Sequence, residues 1–171
     1  MKTKLFTLGA IATFFIISFS SCLKDDSKKY TAEDEIAQRE AYLEGLRDKG
    51  SNVQKTEKGV YYIVIDEGEG DFAKSGDTLS ITYSGYFIDG RLFDTSLDNP
   101  NFPDGKMEFV LEDDDSRMIP GFEDGMKVMN KEAKVQLVIP SELAYGSQWS
   151  YIIPPYQTLI FVIKLHEIKP S

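Results

Sequence analysis

Cysteine and histidine each occur once in 171 residues, at Cys22 and His166. A single cysteine cannot form an intrachain disulfide or redox pair, and one Cys with one His cannot furnish a zinc site. A Ser-His-Asp cluster of conventional kind is equally ill-supplied, and any imidazole base would have to be His166. Cations are outnumbered, with 19 Lys and Arg against 28 Asp and Glu, for a formal charge of −9. Phosphate recognition needs clustered Lys and Arg, so nucleic-acid binding is excluded as a function class. The longest apolar stretch, Leu5–Phe19, is short of the about 20 residues that a membrane-spanning helix needs. What is present is a chain with 42% hydrophobic, 12% aromatic and 27% charged residues. That composition supports a packed core, and the length suits one domain plus extras at about 100–200 residues per domain.

The N-terminus reads as an address. Two lysines in Met1–Lys4 precede the apolar stretch, and Ser20, Ser21 and Cys22 close it. A basic start, an apolar middle and small residues at the end define a secretory signal, here residues 1–21. Cys22 stands where a bacterial lipoprotein is cut and acylated, and the segment resembles the looser lipobox of Bacteroidetes, with Phe19 in place of the usual Leu. The other reading of Cys22 is an incidental thiol or an uncleaved anchor. Acyl chains contribute about 0.8 kcal/mol per buried CH₂, so two or three hold a protein at a membrane. Loss of Lys2 and Lys4 takes the charge from −9 to −11. Anionic headgroups repel such a surface, so membrane attachment would be through lipid on Cys22 and not a basic patch. The implied location is the cell envelope, at the outer membrane. Lys24-Asp25-Asp26 resembles a surface-export signal, and a plain solvated tether reads it equally well.

Residues 22–52 are expected to form a tether and a helix. Thr31 and Asp34 make a capping box, Glu33, Asp34 and Glu35 crowd the first turn, and Gly50 stops the helix. Ile36, Leu43 and Leu46 fall near one face. The helix either lies against the domain, stands as a spacer or serves dimerisation. From Val60 the hydrophobic period changes to two, and residues 53–171 read as one domain. Strands are expected over 60–66, 78–88, 91–94, 107–111, 134–139 and 158–168, with the last one central. Gly85 signals a bulge and Asp89-Gly90 a hairpin turn. Pro120–Met129 starts with Pro and spaces Phe122, Met126 and Met129 as a helical face. The fold class is therefore α+β, an antiparallel sheet with one short helix packed on it. No internal repeat is present.

Four blocks carry a family signature. They are Ile81–Tyr86 with Asp89–Ser96, then Met118–Met126, then Ile139–Gly146, and finally Ile152–Pro155 with Thr158–Phe161. In order and spacing they resemble the FKBP-type peptidyl-prolyl cis-trans isomerases over about residues 58–168. The resemblance implies an FKBP-like half-barrel sheet wrapped around a short helix, with the site in the apolar hollow between them. Carried over by matching position, its lining is Tyr83, Phe93, Asp94, Met118, Ile119, Phe122, Tyr145, Ile153 and Phe161. Met107 stands in for a family Phe, and Ile152 is a rim position. The resemblance further implies that the Ile119 N–H and the Tyr145 hydroxyl bind carbonyls of the bound chain, and that Asp94 sits in the hollow bonded to Tyr83. It implies partners in proline-containing segments and macrolides of the tacrolimus and rapamycin type.

Such chemistry suits these residues. An X–Pro bond is nearly balanced between cis and trans, yet it crosses a barrier of about 18–20 kcal/mol because the twisted amide loses resonance. No covalent bond is made or broken, so no nucleophile, metal or cofactor is required. The expected function is isomerisation of X–Pro bonds in exported proteins. The alternatives are a non-catalytic module that captures proline segments and a chaperone that holds chains. Phe122 replaces the family's usual Trp at the pocket floor, a smaller platform without an indole donor. Trp149 and Tyr151 are either a substrate-selecting rim or packed on the domain. Glu112–Asp115 reads as a solvated turn, with a calcium site the alternative.

Overall fold

A computed structural model describes residues 29–115 and 117–171. The signal segment, Cys22 and the tether at 23–28 lie outside the described residues. In chain order the elements are α1 (Ala32–Asp48), β1 (Gln54–Lys55), β2 (Tyr61–Asp66), β3 (Glu69–Phe72), β4 (Thr78–Phe87), β5 (Leu92–Thr95), β6 (Met107–Val110), α2 (Pro120–Met126), β7 (Asn130–Lys131), β8 (Lys134–Ile139) and β9 (Leu159–Lys169).

Seven strands form an antiparallel sheet in the order β1-β2-β8-β9-β4-β5, with β6 also pairing with β4. β9 is central, as its nearly unbroken apolar sequence requires. Strand alternation divides the sheet into two faces. Leu79, Ile81, Tyr83 and Phe87 on β4, Val135, Leu137 and Ile139 on β8, and Leu159, Phe161, Ile163 and Leu165 on β9 enter the main core. Val138 and Ile160, at alternate positions, face the opposite way and join Leu43 of α1. The fold is α+β, with α2 on one face of the sheet and α1 on the other.

Helix α2 lies almost directly on β8. A Cβ at Gly121 would run into Ile139, and one at Gly125 into Leu137. Two glycines four apart thus strip one stripe of the helix to backbone. Pro120 starts it without needing a donor. The helix ends at Met126 rather than at the expected Met129. The Lys127 N–H turns back to Asp124 O and Gly125 O, and Met129 O instead accepts from Ala73. Met129 remains fully buried, so its hydrophobic spacing reports core position and not helix.

Helix α1 starts with the capping box: Thr31 Oγ1 accepts from Asp34 N–H, and the Asp34 carboxylate accepts from Thr31 N–H. Its buried face is Glu35, Arg39 and Leu43. Ile36, expected on that face, is half-exposed. The apolar period misses this because the residue that docks the first turn is a carboxylate. Two short strand pairs were also absent from the sequence reading. β3 and β7 pair with each other, and all four residues of β3 are exposed, so no alternation marks it. β1 is two residues of a hairpin with β2.

Candidate active site

β4 supplies one wall of the hollow. Tyr83 and Gly85 point to the core face, and the ladder sets Gly85 opposite Asp94 of β5 on one side and Phe161 of β9 on the other. The register of β4 against β5 shifts at Gly85–Tyr86, where the sequence signals a bulge. Gly85 has a steric reason: a Cβ there would lie 2.7 Å from Phe93 Cζ and 3.0 Å from Phe161 Cε1. Its absence lets two rings close over the strand. Phe93 and Phe161 meet edge to face with centroids 5.5 Å apart. Phe161 meets Phe122 of α2 in the same way at 5.2 Å, and Phe122 stands 6.3 Å from Tyr83. Such T-shaped contacts place positive ring edges on negative faces and fix ring orientation.

These rings border an open hollow of about 120 Å³, lined by Tyr83, Phe93, Asp94, Met107, Met118, Ile119, Phe122, Tyr145 and Phe161. Five elements and two connecting segments contribute. The sequence-derived lining is thereby brought together except at two positions. Ile153 is buried in the core cluster beside the hollow, and Ile152 projects from the loop, half-exposed. Trp149 and Tyr151 are 70% and 95% exposed, so neither packs on the domain.

Polar groups sit at one edge. The Tyr83 hydroxyl donates to Asp94 Oδ2 at 2.8 Å, and the Thr95 N–H donates to Asp94 Oδ1 at 2.9 Å. Asp94 is exposed. Asp94 thus lines the hollow bonded to Tyr83, as expected, but it is exposed rather than buried there and carries little of a buried ion's desolvation cost. Burial of Tyr83, then the bond to Asp94 and its negative charge, push the phenol well above its ordinary range. The hydroxyl is therefore a firm donor and keeps its proton at neutral pH. Backbone bonds hold Tyr83 in place, its N–H donating to Ser96 Oγ and its C=O accepting from Ser96 N–H and Thr95 Oγ1. Ser96 is fully buried. The Thr95-Ser96 pair after Asp94 was its only sequence signal.

Glu123 was missed by the sequence reading. It is buried in the first turn of α2, and its Oε1 accepts from Met118 N–H at 3.2 Å. This bond folds the chain so that Met118 and Ile119 enter the hollow just before Pro120. Tyr145, 36% exposed, lines the hollow from the turn that follows β8, and it is near enough to Tyr83 to add to the upward push on that phenol. No set of three or more His, Cys, Asp or Glu groups among the described residues is arranged to hold a metal ion. In the acidic run, Glu112 pairs with Lys127 at 2.6 Å and Asp114 with Arg117 at 2.9 Å. His166 Nε2 meets Thr82 Oγ1 at 3.1 Å, away from the hollow. Among the described residues no helix is long and apolar enough to cross a membrane.

The family model of FKBP-type peptidyl-prolyl cis-trans isomerases matches residues 69–166, and that range holds every residue lining the hollow. Among curated proteins, the chain is 35% identical over 144 residues to the FKBP-type peptidyl-prolyl cis-trans isomerase FkpA of Escherichia coli strain K12, covering 84% of this chain and 50% of that one. It is 36% identical over 128 residues to the FKBP-type 22 kDa peptidyl-prolyl cis-trans isomerase of the same strain, covering 74% and 58%. The chain spans about half the length of the curated relatives it matches. The crystal structure of FkpA from Escherichia coli superposes with a TM-score of 0.67 at 35% identity, over 81% of this chain and 61% of that one. A peptidyl-prolyl cis-trans isomerase structure from Pseudomonas syringae gives 0.66 at 26% identity, over 82% of this chain and 97% of that one.

Proposed function

Since the chain belongs to the FKBP-type peptidyl-prolyl cis-trans isomerase family, we propose that it isomerises X–Pro peptide bonds in the hollow between α2 and the sheet. The observation that carries this reading is the open, aromatic-walled hollow of about 120 Å³ with a Tyr83–Asp94 pair in its lining. An apolar cavity of roughly 150 Å³ accepts a benzene-sized ring. A five-membered prolyl ring is smaller and fits here against Phe122, Phe161 and Phe93.

Seating that ring brings the preceding amide to the mouth of the hollow. The planar amide carries the larger dipole and loses more on leaving water than the twisted form does. An apolar wall therefore favours the half-rotated state differentially, and only such differential interaction lowers the barrier. A gain of about 10⁴–10⁶ in rate corresponds to roughly 5.5–8 kcal/mol of it. The Ile119 N–H at the start of α2 and the Tyr145 hydroxyl are the donors for substrate carbonyls, fixing the bound chain about the rotating bond. Tyr83 and Asp94 orient the polar edge without passing protons, because the Tyr83 proton is held firmly. Macrolides of the tacrolimus and rapamycin type would occupy the same hollow, with Phe122 giving them a narrower floor than Trp would.

Residues 53–171 act as the catalytic domain in this reading, and Cys22 as a lipid anchor that holds it at the outer membrane, where proline-containing segments of exported chains are the substrates. The test is a protease-coupled turnover assay on a short series of X–Pro peptides, with mass determination of the purified membrane form. Turnover lost in Phe122→Leu and retained in an exposed control such as Ile36→Ala supports the isomerase reading. Absence of turnover in the wild type leaves a proline-binding module or a holding chaperone on the same fold.

A further inference from the structure

Among the described residues, the most deeply buried carboxylate does not belong to the hollow. Glu35 of α1 is 2% exposed. Its Oε1 accepts from Ser141 N–H at 2.7 Å, Thr158 Oγ1 at 2.7 Å and Arg39 Nη1 at 3.2 Å, and its Oε2 accepts from Ser141 Oγ at 2.5 Å. Ser141 and Thr158 are themselves buried. They are the two stems of one loop: Ser141 follows β8 and Thr158 precedes β9. A burial this expensive is sustained only by full hydrogen bonding, and here four donors supply it.

The loop between the stems carries Tyr145, a lining residue that no helix or strand holds. Ser141 O accepts from Ala144 N–H at 2.9 Å and from Gly146 N–H at 2.8 Å, so the position of Ser141 sets the turn that presents Tyr145. Gly146 O then accepts from Tyr156 N–H at 2.8 Å and ties the outgoing limb to the returning one. The turn rests on α2 through Leu143, whose Cβ and carbonyl oxygen would each lie 3.1 Å from a Cβ on Gly121. It is thus pinned on one side by α1 and on the other by the helix that carries Phe122. Thr158, the second stem, stands three residues before Phe161.

We propose that Glu35 is a positioning residue for the site: it clamps Ser141 to Thr158 and so holds Tyr145 over the hollow, which makes α1 a working part of the substrate-binding apparatus. The clamp fixes the turn that carries Tyr145, while Asp94 is held by separate bonds from the Tyr83 hydroxyl and the Thr95 N–H. The inference rests on the isomerase reading for its effect on turnover, and on geometry alone for its effect on the loop.

Two measurements on the full chain test it. The first is amide hydrogen exchange in wild type, Glu35→Ala, Glu35→Gln and Ser141→Ala. In Glu35→Ala the Ala144, Gly146 and Tyr156 amides should exchange at least about tenfold faster while the β4–β9 ladder keeps its protection. Glu35→Gln should restore most of it, since the amide oxygen still accepts from Ser141 N–H and Thr158, and the Ser141 hydroxyl turns to accept from the new NH₂. Ser141→Ala, which leaves α1 its other contacts, should give an intermediate effect. The second is a double-mutant cycle on kcat/KM with an X–Pro peptide, pairing Glu35→Ala with Tyr145→Phe. Each single change should cost about fivefold, and the double variant little more than either alone, because both act through one hydroxyl. Unchanged exchange at the three loop amides, or losses that simply multiply in the cycle, overturns the proposal. A wild type without turnover refutes the isomerase reading instead, and exchange alone then decides the clamp.

Discussion

Gly85 offers the sharpest test of how the hollow is built. An alanine there adds one carbon at 2.7 Å from Phe93 Cζ, 2.9 Å from Phe93 Cε2 and 3.0 Å from Phe161 Cε1. Carbon atoms in good contact stand about 3.5–4.0 Å apart, so each ring must retreat by roughly 0.5–1 Å. Phe161 has little room, buried and held edge to face by Phe122 and Phe93. Phe93 is half-buried, and Phe87 lies 5.1 Å from it by centroid. The free direction for Phe93 is therefore into the hollow, which it would partly fill. Overpacking of this kind costs about 1–3 kcal/mol. Set against a domain stability of about 5–15 kcal/mol, the variant stays folded. Gly85→Ala should thus lower the urea midpoint modestly and raise KM for an X–Pro peptide by about tenfold or more, the amount that losing about 1.4 kcal/mol of ring contact entails. Urea titration by tryptophan-independent circular dichroism and the coupled turnover assay read the two effects. A variant with wild-type KM and a wild-type midpoint would refute the steric account of the bulge and of the hollow together.

Tyr83→Phe keeps the ring and removes the donor to Asp94; stability should fall by about 0.5–1.5 kcal/mol, and turnover should fall with it. The same residue sets an alkaline limit. The folded chain binds the phenol proton more tightly than the unfolded chain, so this contribution is complete below about pH 10 and is lost as pH rises above it toward the folded-state value. Urea midpoints on either side of about pH 10 should drop further in wild type than in Tyr83→Phe, and equal drops would contradict the assignment. Leu43→Ala empties the contact of α1 with Val138 and Ile160 and should cost about 2–5 kcal/mol in chemical denaturation. Glu123→Ala frees Met118 N–H and should weaken turnover more than global stability, as a comparison of kcat/KM with the urea midpoint would register.

Much of this architecture is legible in the chain itself, for reasons that differ by element. Strands β4, β8 and β9 announce themselves because one buried face imposes strict alternation. Lys134–Ile139 was expected with both of its ends in place. The residues lining the hollow, Met107 apart, fall within the four spaced blocks, since the sheet register that joins Gly85, Asp94 and Phe161 is set by those same blocks. What escaped was held together by polar bonds between distant segments. Nothing local tells that Glu35 turns inward while Ile36 turns outward, because Ser141 and Thr158 are more than a hundred residues away. β3 escaped because a fully exposed strand leaves no hydrophobic trace. The exposure of Asp94 escaped because a motif fixes which residue is present and not how much water reaches it.

The central place of β9 has a consequence for how this molecule is born. Every strand that flanks it, β8 on one side and β4 on the other, is encoded before it. A polypeptide emerging N-terminus first therefore holds two unjoined half-sheets with exposed edges until residues 159–169 arrive and zip them together. Its pairings are distant in sequence and correspondingly slow to form. Closure of the sheet is therefore a late event, and the edges of β4 and β8 stay open until it happens.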